Sequence, residues 1–242
     1  MKAFTRIIII AIFFFSAGLS AQEKIEFPSL DGLLITADLY EIENPKLTIL
    51  LCHQAGYSRG EYIKTALQLN ALGYSCMAID QRSGKGVNSI SNETMARAKA
   101  KGLDTRYLDA HQDIEAAIDY LYARNKNQPI VIVGSSYSAT LVLLEGKENE
   151  KVKAVAAFSP GEYFDMIDVN ATITGYKKLV YVTASNSETP NLTELDSGIS
   201  TEYLTHYKPS EKGIHGSRAL WKTTDGVNGY WISFKEFLKT VE

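Results

Sequence analysis

The sequence predicts an α/β protein built on a mostly parallel sheet, and three observations carry that prediction. Continuous apolar runs at Leu47–Cys52, Tyr74–Ile79, 130–133, Val152–Phe158 and Leu179–Thr183 have the make-up of strands covered on both faces. Between them lie segments with apolar residues at helical spacing, and strands alternating with helices imply parallel pairing. Each run ends in a short loop of polar or small residues, the place where such sheets bind ligands.

The first residues are of another kind. Lys2 and Arg6 precede the apolar run 7–15, and small residues follow through Ala21. This order of basic, apolar and small residues predicts a secretory signal peptide over 1–21, cleaved after Ala21. The run is too short for a spanning helix, and an uncleaved anchor is the alternative. Residues 22–242 then form a single domain in the secreted or periplasmic space, with no stable membrane insertion after cleavage. The chain is 45% hydrophobic with a formal charge of −3, and loss of Lys2 and Arg6 makes the remainder more acidic. An acidic chain without a basic block argues against nucleic acid or an anionic membrane surface as partner. The two cysteines, Cys52 and Cys76, lie inside strand-like runs and read as buried thiols; a bridge would require neighbouring strands.

Along the chain, Asp31-Gly32 separates strands at 24–27 and 33–40 and signals an antiparallel hairpin. The run Leu47–Cys52 ends in His53-Gln54-Ala55-Gly56. Ile63, Ala66, Leu67 and Leu69 predict a helix over 62–72, closed by Gly73. After Tyr74–Ile79, the stretch from Asp80 to Gly102 is polar and small, with a helical patch at 93–101, and reads as a loop or small lid. Ile114, Ala117, Ile118 and Leu121 share one face of a helix predicted over 107–125. Beyond Leu179–Thr183 come a helix at 191–198, a short strand at 203–207, a turn at 217–221 and a final helix at 231–241.

The chemistry centres on Gly134-Ser135-Ser136-Tyr137-Ser138, between an apolar strand and the apolar helix carrying 141–144. Small residues two before and two after Ser136 allow a strand to reverse sharply into a helix. Such a turn pushes its tip residue out on a strained backbone, where a serine serves as nucleophile. Taken alone, the segment also fits an ordinary Gly- and Ser-rich turn. A serine hydroxyl needs a base, and the base a group that holds its tautomer. Among the four histidines, His215 sits in a glycine-flanked loop after the last strand and is the candidate base. His206 falls within that strand and reads as structural, His111 opens a helix, and His53 ends a strand.

Gly134–Ser138 followed downstream by Gly213-Ile214-His215-Gly216 resembles the α/β-hydrolase fold, whose nucleophile elbow follows strand five and whose histidine follows strand eight. The Asp31-Gly32 hairpin, the His53-Gln54-Ala55-Gly56 loop and the Asp80-Gln81-Arg82-Ser83-Gly84-Lys85-Gly86 turn stand in matching order, over essentially all of 22–242. The resemblance is nearest to small, nearly capless esterases and dienelactone-hydrolase-like proteins. It implies about eight strands, helices on both faces and a minimal cap. It also implies Ser136 as nucleophile, His215 as base, and an oxyanion hole from the backbone N–H groups of Tyr137 and Gln54.

The sequence departs from the family in the acid. After strand seven the family most often has Asp, whereas here Ser187 occupies that place with Glu188 beside it. Glu188 keeps the order Ser136, Glu188, His215. Glu162 is the alternative acid, with Asp165 close by, and a site with no acid at all is a third reading. No cofactor and no metal site are expected, since no Cys-x-x-Cys or His/Cys cluster has ligand spacing. A nicotinamide-binding fold is disfavoured because no Gly-x-Gly-x-x-Gly follows the first parallel strand. The expectation is a secreted serine hydrolase acting on a small-molecule ester, less readily an amide. The competing reading is an impaired hydrolase fold that binds a ligand or partner without turnover.

Overall fold

Residues 22–242 are described by a computed structural model, and the segment read as a signal peptide lies outside them. The chain opens with strands β1 (Gln22–Pro28) and β2 (Leu34–Tyr40), paired antiparallel from Gln22↔Tyr40 to Pro28↔Leu34. The turn between them closes through Ser29 N–H to Leu33 O, 2.7 Å, with Gly32 at φ +80°. Glycine takes that left-handed backbone without steric cost, and the Asp31-Gly32 pair signals this turn.

The alternation then begins. Strand β3 (Leu47–Cys52) leads to helix α1 (Ile63–Ala71), and β4 (Tyr74–Ile79) to a small ribbon, β5 (Gly86–Val87) with β6 (Ile90–Ser91), followed by α2 (Glu93–Ala100). Helix α3 (His111–Arg124) precedes β7 (Ile130–Ser135), which passes directly into α4 (Tyr137–Gly146). Strand β8 (Val152–Phe158), the short α5 (Val169–Ile173), β9 (Leu179–Thr183), α6 (Thr189–Leu195), β10 (Leu204–Tyr207) and α7 (Val227–Val241) complete the chain. The main sheet has eight strands in the order β1-β2-β4-β3-β7-β8-β9-β10, and every pair from β4 to β10 is parallel.

Alternate residues of each central strand point to opposite faces. On β7, Ile130 and Ile132 join a core with Ile114, Ile118 and Leu121 of α3 and Val142 of α4, while Val131 and Val133 join one with Phe234, Phe237 and Leu238 of α7. A strand clad on both sides is apolar at most positions, which is why periodicity gives way to near-continuous runs here. Among the described residues no helix is long and apolar enough to cross a membrane.

Several expectations shift. The patch at 93–101 forms α2, but it does not lie over Ser136. Thr94 Oγ1 accepts the Thr36 N–H at 2.9 Å and Arg97 reaches Thr36 Oγ1 at 2.7 Å, which ties the helix to β2. Helix α7 begins at Val227 rather than 231, its first turn containing a glycine, Gly229, that weakens the sequence signal. Helix α5, one turn capped by Asp168 on the Ala171 N–H at 2.9 Å, was not expected. Cys52 and Cys76 remain free. In the β3–β4 register Cys52 faces Ile79 and Cys76 faces Ile49, and the two thiols enter opposite cores.

Candidate active site

Strand β7 ends in a reversal that only small residues permit. A Cβ at Gly134 would lie 2.3 Å from Ser138 O and 2.6 Å from Ala139 Cα, both backbone atoms that cannot step aside. Ser138 gives its hydroxyl to Cys52 O at 2.8 Å and accepts the Ser135 N–H at 3.0 Å. The turn is thereby fastened to the end of β3. Ser136 at the tip has φ 60°, ψ −125°, a region non-glycine residues rarely occupy, so the surroundings impose it. Tyr137 is buried, gives its hydroxyl to Ser83 O at 2.9 Å and stacks on Tyr107 with centroids 4.7 Å apart.

Ser136, His215 and Glu188 meet, although they come from three separate strand ends. His215 Nε2 lies 2.8 Å from Ser136 Oγ, and His215 Nδ1 is hydrogen-bonded to Glu188 Oε1. Glu188 ends a 3-10 turn, Asn186–Glu188, after β9. There Ser185 caps the turn, and Glu188 Oε2 accepts from Ser185 Oγ at 2.6 Å, Ser185 N–H at 3.0 Å and Ser159 Oγ at 3.1 Å. Burial opposes the charged form of this carboxylate. The bonds from His215 and Ser185 outweigh it and hold its pKa down to about 2. Glu188 is thus an anion at any neutral pH and fixes a proton on His215 Nδ1, leaving Nε2 to accept from Ser136.

Glu162, the alternative acid, is elsewhere engaged. Its oxygens accept the Val169 and Asn170 N–H groups, both at 2.9 Å, at the start of α5. The one-turn helix hidden in 168–174 is what claims it.

The loop after β3 differs from expectation at Gln54. Its backbone N–H donates to Glu61 Oε2 at 2.8 Å and so is not free for a substrate oxygen. The next N–H, that of Ala55, donates to nothing among the described residues, and neither does that of Tyr137, at the first position of α4. His53 is buried and fixes the loop from behind. Its Nδ1 bonds Gln54 O at 2.8 Å and its Nε2 accepts the Gln81 N–H at 3.2 Å, while burial pushes its pKa down to about 4, leaving the ring neutral.

Two side chains that carry no local sequence signal complete the surroundings. Ser159 bridges Glu188 to the histidine loop, accepting the Gly216 N–H at 2.9 Å. Tyr163 gives its hydroxyl to Ser159 O at 3.0 Å and stands next to the Ser136 hydroxyl. A cavity of about 830 Å³ opens beside Glu188, lined by Tyr163, Leu192, Leu195 and the carboxylates of Glu162, Asp168 and Glu194. The other histidines pair with acids: His206 Nδ1 with Asp196 Oδ2 at 2.7 Å, and His111 Nε2 with Glu145. Among the described residues, metal-ligand spacing occurs at His111, Glu115 and Glu145, whose ligand atoms fall within 4.8 Å of one another. Two adjacent helices bring these together, which no linear spacing reveals.

The sheet order, the elbow and the loops at the strand ends are those of an α/β-hydrolase. The chain belongs to the family described as serine aminopeptidase, S33, whose model matches residues 43–212. No curated protein matches it in sequence. Among solved structures it is similar to the esterase Pf2001 of Pyrococcus furiosus, with TM-score 0.66, 16% identity, and 91% of this chain and 90% of that one covered. It is also similar to a dienelactone hydrolase from Anabaena variabilis, with TM-score 0.66, 15% identity and coverage of 91% and 97%. The α/β-hydrolase GrgF from a Penicillium species gives TM-score 0.65, 11% identity and coverage of 91% and 98%. At these identities the likeness establishes the fold.

Proposed function

We propose that this hydrolase cleaves carboxylic esters, and amides less readily, through an acyl-enzyme on Ser136. The observation that carries the reading is the unbroken chain of hydrogen bonds from Ser136 Oγ through His215 to Glu188 Oε1. Ser136 Oγ attacks the carbonyl carbon while its proton passes to His215 Nε2, and the carbonyl π pair moves onto oxygen. The Tyr137 N–H and the Ala55 N–H receive that oxyanion. When the intermediate collapses, His215 returns the proton to the departing alkoxide, and the acyl group stays on Ser136. A water then attacks the acyl carbon, with His215 as base, releasing the acid and restoring the serine. Glu188 stabilises the imidazolium formed in each half.

Esterase and dienelactone hydrolase are the names carried by similar folds, in keeping with an ester substrate. The cavity beside Glu188 offers room for one side of a small ester. Action outside the cytoplasm, after loss of 1–21, rests on the signal-like N-terminus. The reading as a binding module drew its support from the lack of Asp at Ser187. That support weakens with Glu188 seated on His215 Nδ1.

Turnover of p-nitrophenyl acetate by the wild type and by Ser136→Ala tests the proposal. The substitution is expected to lower kcat by at least ~10³-fold. A mutant that retains wild-type turnover would show that another group does the chemistry.

A further inference from the structure

Glu61 is a buried carboxylate that the reaction as described does not use. It lies in the 3-10 turn Arg59–Tyr62, and only 1% of it is exposed. Its Oε2 accepts the Gln54 N–H at 2.8 Å; its Oε1 accepts Ser217 Oγ at 2.6 Å, Ser135 Oγ at 2.8 Å and Gln54 Nε2 at 3.2 Å. These donors come from three loops: the one after β3, the elbow after β7, and the one after β10. Each stands next to a group of the site. Gln54 precedes Ala55, Ser135 precedes Ser136, and Ser217 lies two residues beyond His215. The loops are also tied to one another, since the Ser217 N–H donates to Ser135 Oγ at 2.8 Å.

A buried carboxylate costs free energy unless every oxygen is satisfied. If this position needed only packing, an apolar side chain of similar volume would serve as well or better. Burial pushes the Glu61 pKa above the ordinary carboxylate value, against the bonds from Ser217, Gln54 and Ser135 and the charge of Arg218, which favour the anion. The Gln54 N–H cannot rotate away, so an acceptor is required at Oε2. The arrangement suits a side chain whose two oxygens gather fixed donors from separate loops.

We propose that Glu61 is a positioning residue. It holds the β3, β7 and β10 loops in one register, so that the Ala55 N–H, Ser136 Oγ and His215 Nε2 converge on the same carbonyl. This rests on the serine-hydrolase reading above. Because Glu61 acts on the relative placement of reacting groups, its removal is felt in kcat far more than in KM.

The test compares wild type, Glu61→Gln, Ser217→Ala and the double mutant for kcat and KM on p-nitrophenyl acetate, fluorophosphonate labelling rate and Tm. Glu61→Gln keeps the shape but sets an amide donor among donors. We expect a folded protein with kcat down about tenfold or more and KM within about twofold. Ser217→Ala lowers kcat severalfold in the wild type and adds nothing in the Glu61→Gln background, because both act through one network. An active wild type with an unaffected Glu61→Gln, or a Ser217→Ala loss equal in both backgrounds, overturns this proposal alone. If Glu61→Gln does not fold, Ser217→Ala and Ser135→Ala decide, since each removes a donor to Glu61, Ser135→Ala also taking the acceptor of the Ser217 N–H. Severalfold losses in kcat at constant KM support the proposal, and wild-type kcat in both overturns it. A wild type that neither labels nor turns over overturns the hydrolase reading and this proposal together.

Discussion

Gly216 and Ser135 approach so closely that a Cβ on the glycine would lie 2.6 Å from the serine Oγ. That hydroxyl cannot yield, because it donates to Glu61 and accepts the Ser217 N–H. Gly216 also has φ +75°, which a side chain would strain. Gly216→Ala should therefore push the His215 loop off the elbow. We expect a stability loss of about 1–3 kcal/mol by urea denaturation, together with a fall in kcat. Full activity at reduced stability would mean that the loop tolerates displacement.

Glu188→Gln removes the charge that holds the His215 tautomer, and kcat should fall by ~10²–10⁴-fold. The same substitution has a signature in stability. Glu188 titrates at about 2 in the folded protein, below the ordinary 4.5. A carboxyl lowered in this way adds stability above its unfolded pKa, and the increment is lost as pH falls through the folded value. The stability gap between wild type and Glu188→Gln should be full near neutral pH and close between about 4.5 and 2. A gap independent of pH would contradict the charged pairing.

Arg59 is buried among three carboxylates: Asp80 at 2.7 Å, Asp38 at 3.0 Å and Glu93 at 3.0 Å. Burial already pushes Asp80 up to about 6 against the pull of Arg59. Arg59→Met strands Asp38 and Asp80 without a cation and should cost about 3–5 kcal/mol in urea denaturation. Adding Asp80→Asn should recover part of that loss. If the second change made matters worse, the carboxylates would owe their place to something other than Arg59.

The thiols of Cys52 and Cys76 are fully buried, and burial raises the pKa of both well above the ordinary value. Neither should react with a disulfide reagent in the native protein, and both should react in urea. Their opposite facing across the β3–β4 pair also predicts no bridge under oxidising conditions.

Much of this was legible in the chain because the residues that build the sheet declare themselves locally. The runs Leu47–Cys52, Tyr74–Ile79, Val152–Phe158 and Leu179–Thr183 match their strands end for end, since coverage on both faces keeps them apolar at most positions and isolated Thr48, Ser75 and Lys153 do not break them. The elbow was readable for a steric reason, the space available at Gly134 and Ser138. His215 stood out by its flanking glycines. What escaped depends on side chains meeting from distant loops. Glu61 sits in a polar turn that reads as nothing more than a helix entrance. Its claim on the Gln54 N–H moved the free donor to Ala55. Ser159 bonds both Glu188 and Gly216 from a strand end that local pattern marks only as Ser-Pro. The choice between Glu188 and Glu162 turned on the single helical turn at Val169–Ile173, too short for periodicity to register.

The proposed chemistry depends above all on Ser136 as nucleophile with His215 as its base. These roles can be read from treating the wild type, Ser136→Ala and His215→Ala with a fluorophosphonate probe and mapping the adduct by peptide mass spectrometry. One adduct is expected, on Ser136, absent from Ser136→Ala and formed at least ~10²-fold more slowly in His215→Ala. An adduct on another serine, or labelling at the wild-type rate without His215, would contradict these roles.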